Sequence, residues 1–176
     1  FKPATGRTVM LAVDHGYFQG PTTGLEEPRR TLAPLLAHAD SLMLTRGVLR
    51  TSVPPEANVP IVLRVSGGAS ILRELSQEGL TTAFEDAIRL NAAAVTLSIF
   101  VGAEGERETL LNLARLVDEG VRYGVPVLAV TAVGRDGPGR PLPRTRLPDR
   151  RRDRRADGED VLLRGLRESR PLDSGS

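Results

Sequence analysis

"RTVMLAVDHGYFQG", residues 7–20, decides how the chain is read. An apolar run carrying Val9, Leu11 and Val13 ends abruptly in Asp14, His15 and Gly16, and a loop of aromatics, glycines and threonines follows. Four more runs have the same form: "SLMLTRG" (41–47), "PIVLRVSGG" (60–68), "AAVTLSIFVG" (93–102) and "PVLAVTAVG" (126–134). Each is short, rich in Val, Leu and Ile, and closes on a polar residue or a glycine. Nearly continuous apolar runs of this length read as strands buried on both faces, as in a parallel sheet.

Helical patterns lie between the runs. "PRRTLAPLLAHAD" places Leu32, Leu35 and Leu36 on one face, and "TTAFEDAIRLNA" carries Ala83, Ala87 and Leu90 along a second helix. "EGERETLLNLARLVDEGVRYG" spaces Leu110, Leu113, Ala114 and Val117 as a third, with acids near its start and Gly124 and Pro126 to stop it. Strand and helix alternating through right-handed crossovers give either a doubly wound sheet or a (β/α)8 barrel.

The strand tips favour the barrel. Asp14 and His15, Thr45 and Arg46, Arg64 and Ser66, and Thr131 fall at or near the C-terminal ends of successive runs. That is the end at which barrels carry their chemistry. The first loop, "GYFQGPTTG", also lacks the G-x-G-x-x-G spacing of a dinucleotide site. Only five runs are present, whereas a barrel closes with eight strands. The expected fold is therefore α/β, a partial (β/α)8 TIM barrel of about five β/α units over residues 1–136, with a separate tail at 137–176.

Composition narrows the function classes. Cysteine is absent, which excludes disulfides and thiolate metal sites, and no metal ligand set is read. No apolar run reaches the roughly 18 residues of a membrane span, and "FKPATGRT" is not an apolar signal segment, so a cytoplasmic chain without membrane partners is expected. The first residue is Phe rather than Met, and the chain reads as a piece of something longer. Residues 1–133 hold 12 basic and 14 acidic side chains, a net of −2, whereas residues 134–176 hold 12 arginines and 8 acids, a net of +4. All the excess basicity sits in the tail, so the two parts differ in origin or in task.

The candidate residues have alternative uses. A carboxylate at a barrel mouth holds an ammonium group or moves protons, but Asp14 could equally bond loop amides at a strand end. Successive strand residues point to opposite sides, so only one of Asp14 and His15 need face the mouth. Arg64 could bind a phosphate or pair with a carboxylate inside the barrel. Asp14 and His15 are the catalytic candidates, and Thr45, Arg46, Arg64, Ser66 and Thr131 are read as substrate-binding positions.

"TGRTVMLAVDHGYFQGPTTGLE", "HADSLMLTRGVLR", "VPPEANVPIVLRVSGGASIL" and "LLNLARLVDEGVRYGVPVLAVTAVGRD" together resemble the autoinducer-2 branch of the DeoC/fructose-bisphosphate aldolase family. The resemblance runs from Phe1 to about Asp136. It implies a (β/α)8 barrel, a homo-oligomeric parent enzyme, a small phosphorylated keto substrate, and a Schiff-base lysine near the end of the sixth strand. It also places Asp14 and His15 at the active-site mouth. Archaeal-type aldolases of the family carry an acid–base tyrosine just after the fifth strand, where this chain reads "AVTAVGRD" without one. The branch that fits is the thiolase, which splits a phosphorylated dione, needs no bound cofactor and passes acetyl to coenzyme A as acceptor. A class I fructose-bisphosphate-type aldolase is the alternative.

The tail breaks the resemblance. "DGPGRPLPRTRLPDRRRDRRADGEDVLLRGLRESRPLDSGS" shows no apolar periodicity before Val161, Leu162 and Leu163. Its Arg and Pro content suits disorder, and a non-enzymatic module binding nucleic acid through this tail is a second alternative. Excess Arg, Pro and Gly is also what a GC-rich gene yields out of frame. Read one nucleotide on from the second base of the Gly137 codon, permissible codons encode a helix, a strand containing "VKTYY" and a second helix. Glu159 followed by Asp160 then forces Lys or Arg. The frameshift is the preferred reading, and nucleic acid is not an expected partner. The chain as given has one lysine, Lys2, no Schiff-base residue at a strand tip, and none of the last strands where barrels bind phosphate. It is expected to be inactive and poorly stable.

Overall fold

The computed structural model describes residues 6–20, 22–72 and 75–133. The tail at 137–176, its disorder or altered frame, and Lys2 lie outside the described residues.

All five apolar runs form strands: β1 (Met10–Ala12), β2 (Ser41–Thr45), β3 (Ile61–Arg64), β6 (Ala94–Val101) and β7 (Val127–Val133). They build one parallel sheet in the order β1-β2-β3-β6-β7, each strand beside its predecessor in the series, which is the arrangement of half a barrel. Two two-residue strands, β4 (Ser66–Gly67) and β5 (Gly79–Leu80), pair antiparallel beyond the end of β3 and were not foreseen. Burial on both faces holds for β2 and β3, whereas the outer strands β1 and β7 are only partly covered.

The pleat sorts the side chains. Leu42 and Leu44, Leu63 and Val65, and Val95 and Leu97 pack with Leu32, Phe84, Ala87 and Leu116 of the helices in one core. Leu42, Leu44, Leu63 and Leu97 are 0% exposed, and each contributes roughly 1.5–3 kcal/mol through burial. The alternate positions Arg64, Ser66, Thr96 and Ser98 are also buried yet polar, and these form the other face.

The helices depart from the sequence reading in three places. The stretch expected as one helix from Pro28 is divided into α2 (Pro28–Leu32) and a 3-10 turn at Leu36–His38. Pro34 is the cause, because it lacks an N–H and its ring crowds the preceding turn. Thr45 also ends β2 as the cap of an unforeseen helix, α3 (Arg46–Ser52), its Oγ1 accepting from the Val48 amide at 3.4 Å. The second expected helix is α4 (Phe84–Arg89), and the third is α5 (Glu106–Tyr123). That last helix is rotated from its expected apolar face: Thr109, Asn112, Leu116 and Gly120 are buried, while Leu110 and Val117 are exposed. Close approach explains the rotation. A Cβ at Gly120 would lie 2.6 Å from the Val125 carbonyl oxygen, so the glycine lets the helix settle against the start of β7.

Candidate active site

The polar face converges at the C-terminal ends of the strands. The two centres are Arg64, the last residue of β3, and Asp14, two residues beyond β1, each 4% exposed at the side chain. Arg64 Nε and Nη2 donate to the same Asp14 oxygen, Oδ2, at 2.8 and 2.7 Å. Of the two uses open to Arg64, the structure shows the carboxylate pair. Its remaining nitrogen, Nη1, donates to Ser98 Oγ at 2.7 Å and reaches Ser66 Oγ at 3.4 Å. Ser66 Oγ in turn donates to Glu78 Oε2 at 2.7 Å and accepts from the Ser98 amide at 3.2 Å.

Tyr17 completes the cluster from the short helix α1 (Gly16–Gln19) that follows Asp14 and His15. Its hydroxyl donates to Glu78 Oε1 and lies 3.4 Å from Ser98 Oγ, while the Arg64 guanidinium carbon sits 5.1 Å from its ring centroid. Burial, and after it the bond to Glu78, push the Tyr17 phenol far above the ordinary tyrosine range. It stays a hydroxyl throughout the working pH range. A cleft of about 310 Å³ opens beside this cluster, with Tyr17, Arg64 and Ser66 on one side and Thr45, Arg46 and Thr82 among its other walls.

The sequence-predicted residues divide accordingly. Arg64 and Ser66 sit in both the cluster and the cleft wall, and Thr45 and Arg46 reach the wall alone. Arg46 is already tied to Asp86 of α4 at 2.5 Å, and that guanidinium, followed by Arg89, holds the Asp86 carboxyl below its ordinary range. Asp14 stands behind the wall and acts on the cleft through Arg64. His15 instead precedes α1 with its ring 6.3 Å from Phe18, and Thr131 is exposed in β7 opposite Ile99; neither lines the cleft.

Three members of the cluster were missed. Ser98 had a signal, since Thr96 and Ser98 interrupt "AVTLSIFV" at alternate positions as Arg64 and Ser66 do in "VLRVSG". Tyr17 follows the quoted Asp–His pair but falls in a helix read as loop. Glu78 gave no signal, because the ribbon that positions it is two residues wide. Among the described residues, no group of three or more His, Asp or Glu side chains could hold a metal ion. No described helix is long and apolar enough to cross a membrane.

Comparison with known proteins agrees with this layout. Residues 8–138 match the family model described as DeoC/LacD family aldolase. The chain is 57% identical over 136 residues to the 3-hydroxy-5-phosphonooxypentane-2,4-dione thiolase of Photorhabdus laumondii, covering 77% of this chain and 47% of that protein. Its identity to the thiolase of the same name from Enterobacter sp. is also 57%, over 77% of this chain and 46% of that one. The chain spans about half the length of these curated relatives. Among solved structures, a Schiff-base-forming fructose-1,6-bisphosphate aldolase superposes with a TM-score of 0.63 at 25% identity, over 72% of this chain and 52% of that one. An archaeal fructose-1,6-bisphosphate aldolase, trapped with its catalytic lysine bound to a carbinolamine, gives 0.66 at 24% identity, over 79% and 57%, and supports the fold alone.

Proposed function

This chain belongs to the DeoC/LacD family of aldolases, and we propose that it is the mouth-forming half of a thiolase that cleaves a phosphorylated dione and passes acetyl to coenzyme A. The observation that carries this reading is the 57% identity to thiolases over 136 residues, and the family match over residues 8–138 spans the whole Asp14–Arg64–Glu78–Tyr17 cluster. The aldolase alternative has weaker support, since the solved aldolases resemble the chain at 24–25% identity.

In this reading Asp14 holds Arg64 in place, and Arg64, Ser66 and Tyr17 present a fixed polar wall to the keto substrate. The amine that forms a Schiff base has no source in the described residues, because the only lysine of the chain is Lys2. The frame shifted at Gly137 supplies one within "VKTYY". The chain as given is therefore expected to be inactive.

Incubation with the phosphorylated dione and coenzyme A tests this directly. The 176-residue chain should yield no acetyl-coenzyme A above a protein-free control, whereas the chain restored by one base should yield it and be trapped by borohydride at the new lysine. Acetyl-coenzyme A from the unrestored chain would remove the need for that lysine. Cleavage of fructose 1,6-bisphosphate in place of the dione would move the assignment to the aldolases.

A further inference from the structure

The hydrogen bonds of the cluster have a direction, and their ends fix it. A guanidinium only donates and a carboxylate only accepts. Arg64 Nη1 donates to Ser98 Oγ at 2.7 Å, and Tyr17 Oη donates to Glu78 Oε1. The Ser98 hydroxyl is thereby left to donate across the 3.4 Å to Tyr17 Oη. A second arm runs the same way, from Arg64 Nη1 through Ser66 Oγ to Glu78 Oε2. Both arms end on Glu78, so the Tyr17 hydrogen is committed to Glu78 and the oxygen's unused capacity is that of an acceptor.

Charge points the same way. Two carboxylates, Asp14 in direct contact and Glu78 by way of Ser66, share the single guanidinium of Arg64 within this buried cluster, and both arginines on the cleft wall already hold carboxylates. A phosphate entering here would meet occupied cations and an excess of negative charge. An uncharged group able to donate a hydrogen bond would meet Tyr17, which lines the cleft and has already given its own hydrogen to Glu78.

We propose that the cleft takes the uncharged part of the substrate, from the methyl ketone to the hydroxyl-bearing middle carbon, and that Tyr17 accepts the hydrogen bond of that hydroxyl, away from the phosphate. The inference rests on the thiolase reading for the existence of such a substrate: the relatives' name describes a dione with a hydroxyl on its third carbon and a phosphate on its fifth. Glu78 and Ser98 are the positioning residues, since they set which way the Tyr17 hydrogen points. A site built to receive a hydroxyl rejects the analogue that lacks the donor more strongly than a merely shaped pocket does.

The probes are hydroxyacetone, its methyl ether methoxyacetone, and inorganic phosphate, each titrated into the 176-residue chain with 13C-labelled tyrosine. The chain has two tyrosines, Tyr17 and Tyr123, so a Tyr17→Phe variant assigns both rings. Hydroxyacetone should shift the Tyr17 ring saturably and leave Tyr123 in place, with methoxyacetone and phosphate weaker by about tenfold or more. Tyr17→Phe removes the reporting ring, so its affinity is read by isothermal titration calorimetry, and it should bind hydroxyacetone about tenfold more weakly than the unaltered chain. Glu78→Ala should bring the ratio of the two ketone affinities toward one, a change that simple loosening of the fold would not produce.

An unmoved Tyr17 ring, equal binding of the two ketones, or phosphate shifting Tyr17 at lower concentration would each overturn the inference. The ketone comparison uses the unaltered chain, so it stands even where a variant fails to fold. No acetyl transfer enters the measurement. A restored enzyme that makes acetyl-coenzyme A while its Tyr17 ignores hydroxyacetone sinks this inference alone, and the converse result sinks only the thiolase reading.

Discussion

Arg64 is buried with its guanidinium wholly engaged, and that single fact organises the site. The Asp14 oxygen takes two of its nitrogens and the two serines share the third. Removing one partner of a buried pair strands the other charge, which costs about 3–5 kcal/mol. Asp14→Ala is therefore expected to lower the unfolding free energy by about that amount in urea titrations. The double change Asp14→Ala with Arg64→Met should recover much of the loss, because an apolar replacement leaves no stranded charge. A loss below about 1 kcal/mol in the single variant, the range of an exposed pair, would mean that Arg64 is solvated in solution. Which residues gather here was partly legible in the sequence. Arg64 and Ser66 interrupt an apolar strand at alternate positions, and a buried strand admits such residues only where they have partners. Asp14 stood out as a carboxylate at a strand end. Glu78 was silent because nothing local distinguishes a carboxylate beside a two-residue strand, and His15 stood out only by adjacency to Asp14.

The five strands of the main sheet were legible because their apolar runs are nearly continuous, and each lies within a few residues of its run, whereas the two-residue β4 and β5 left no such signature. Helix orientation was less so. Thr109, Asn112 and Gly120 face inward on α5 where a reading by hydrophobicity selects Leu110 and Val117. What decides the orientation is how closely the helix can approach, and that is set by contacts distant in sequence. Gly105, just before α5, shows this most sharply: an added Cβ would sit 1.9 Å from the Ser76 carbonyl oxygen. Gly105→Ala is expected to destabilise the fold by about 3 kcal/mol or more, since backbone rather than a flexible side chain must yield. Gly47→Ala on α3 should act in the opposite sense, because its nearest neighbour is Thr45 Oγ1 at 4.0 Å and alanine favours the helix by about 0.5–1 kcal/mol. Thermal melts of the two variants read the contrast, and equal melting temperatures would contradict the close packing described for Gly105.

In the whole molecule, the described sheet has the sequential strand order of a barrel but is half of one. Each of its outer strands, β1 and β7, has a single partner in the sheet among the described residues. Unpaired edges of this kind invite association. The expected instability of the chain as given has its physical source there, in edges that a complete barrel removes. In the proposed thiolase the mouth is likewise divided, with the carboxylates, the arginine and the tyrosine of the cluster in this half and the amine and phosphate site expected on further strands. The test is therefore to complete the barrel. A chimera in which residues 8–133 replace the aligned stretch of the Photorhabdus laumondii thiolase should form acetyl-coenzyme A from the phosphorylated dione within about tenfold of that enzyme's rate. A folded chimera that leaves the dione intact, or cleaves fructose 1,6-bisphosphate instead, would contradict the assignment of this half-barrel to a thiolase.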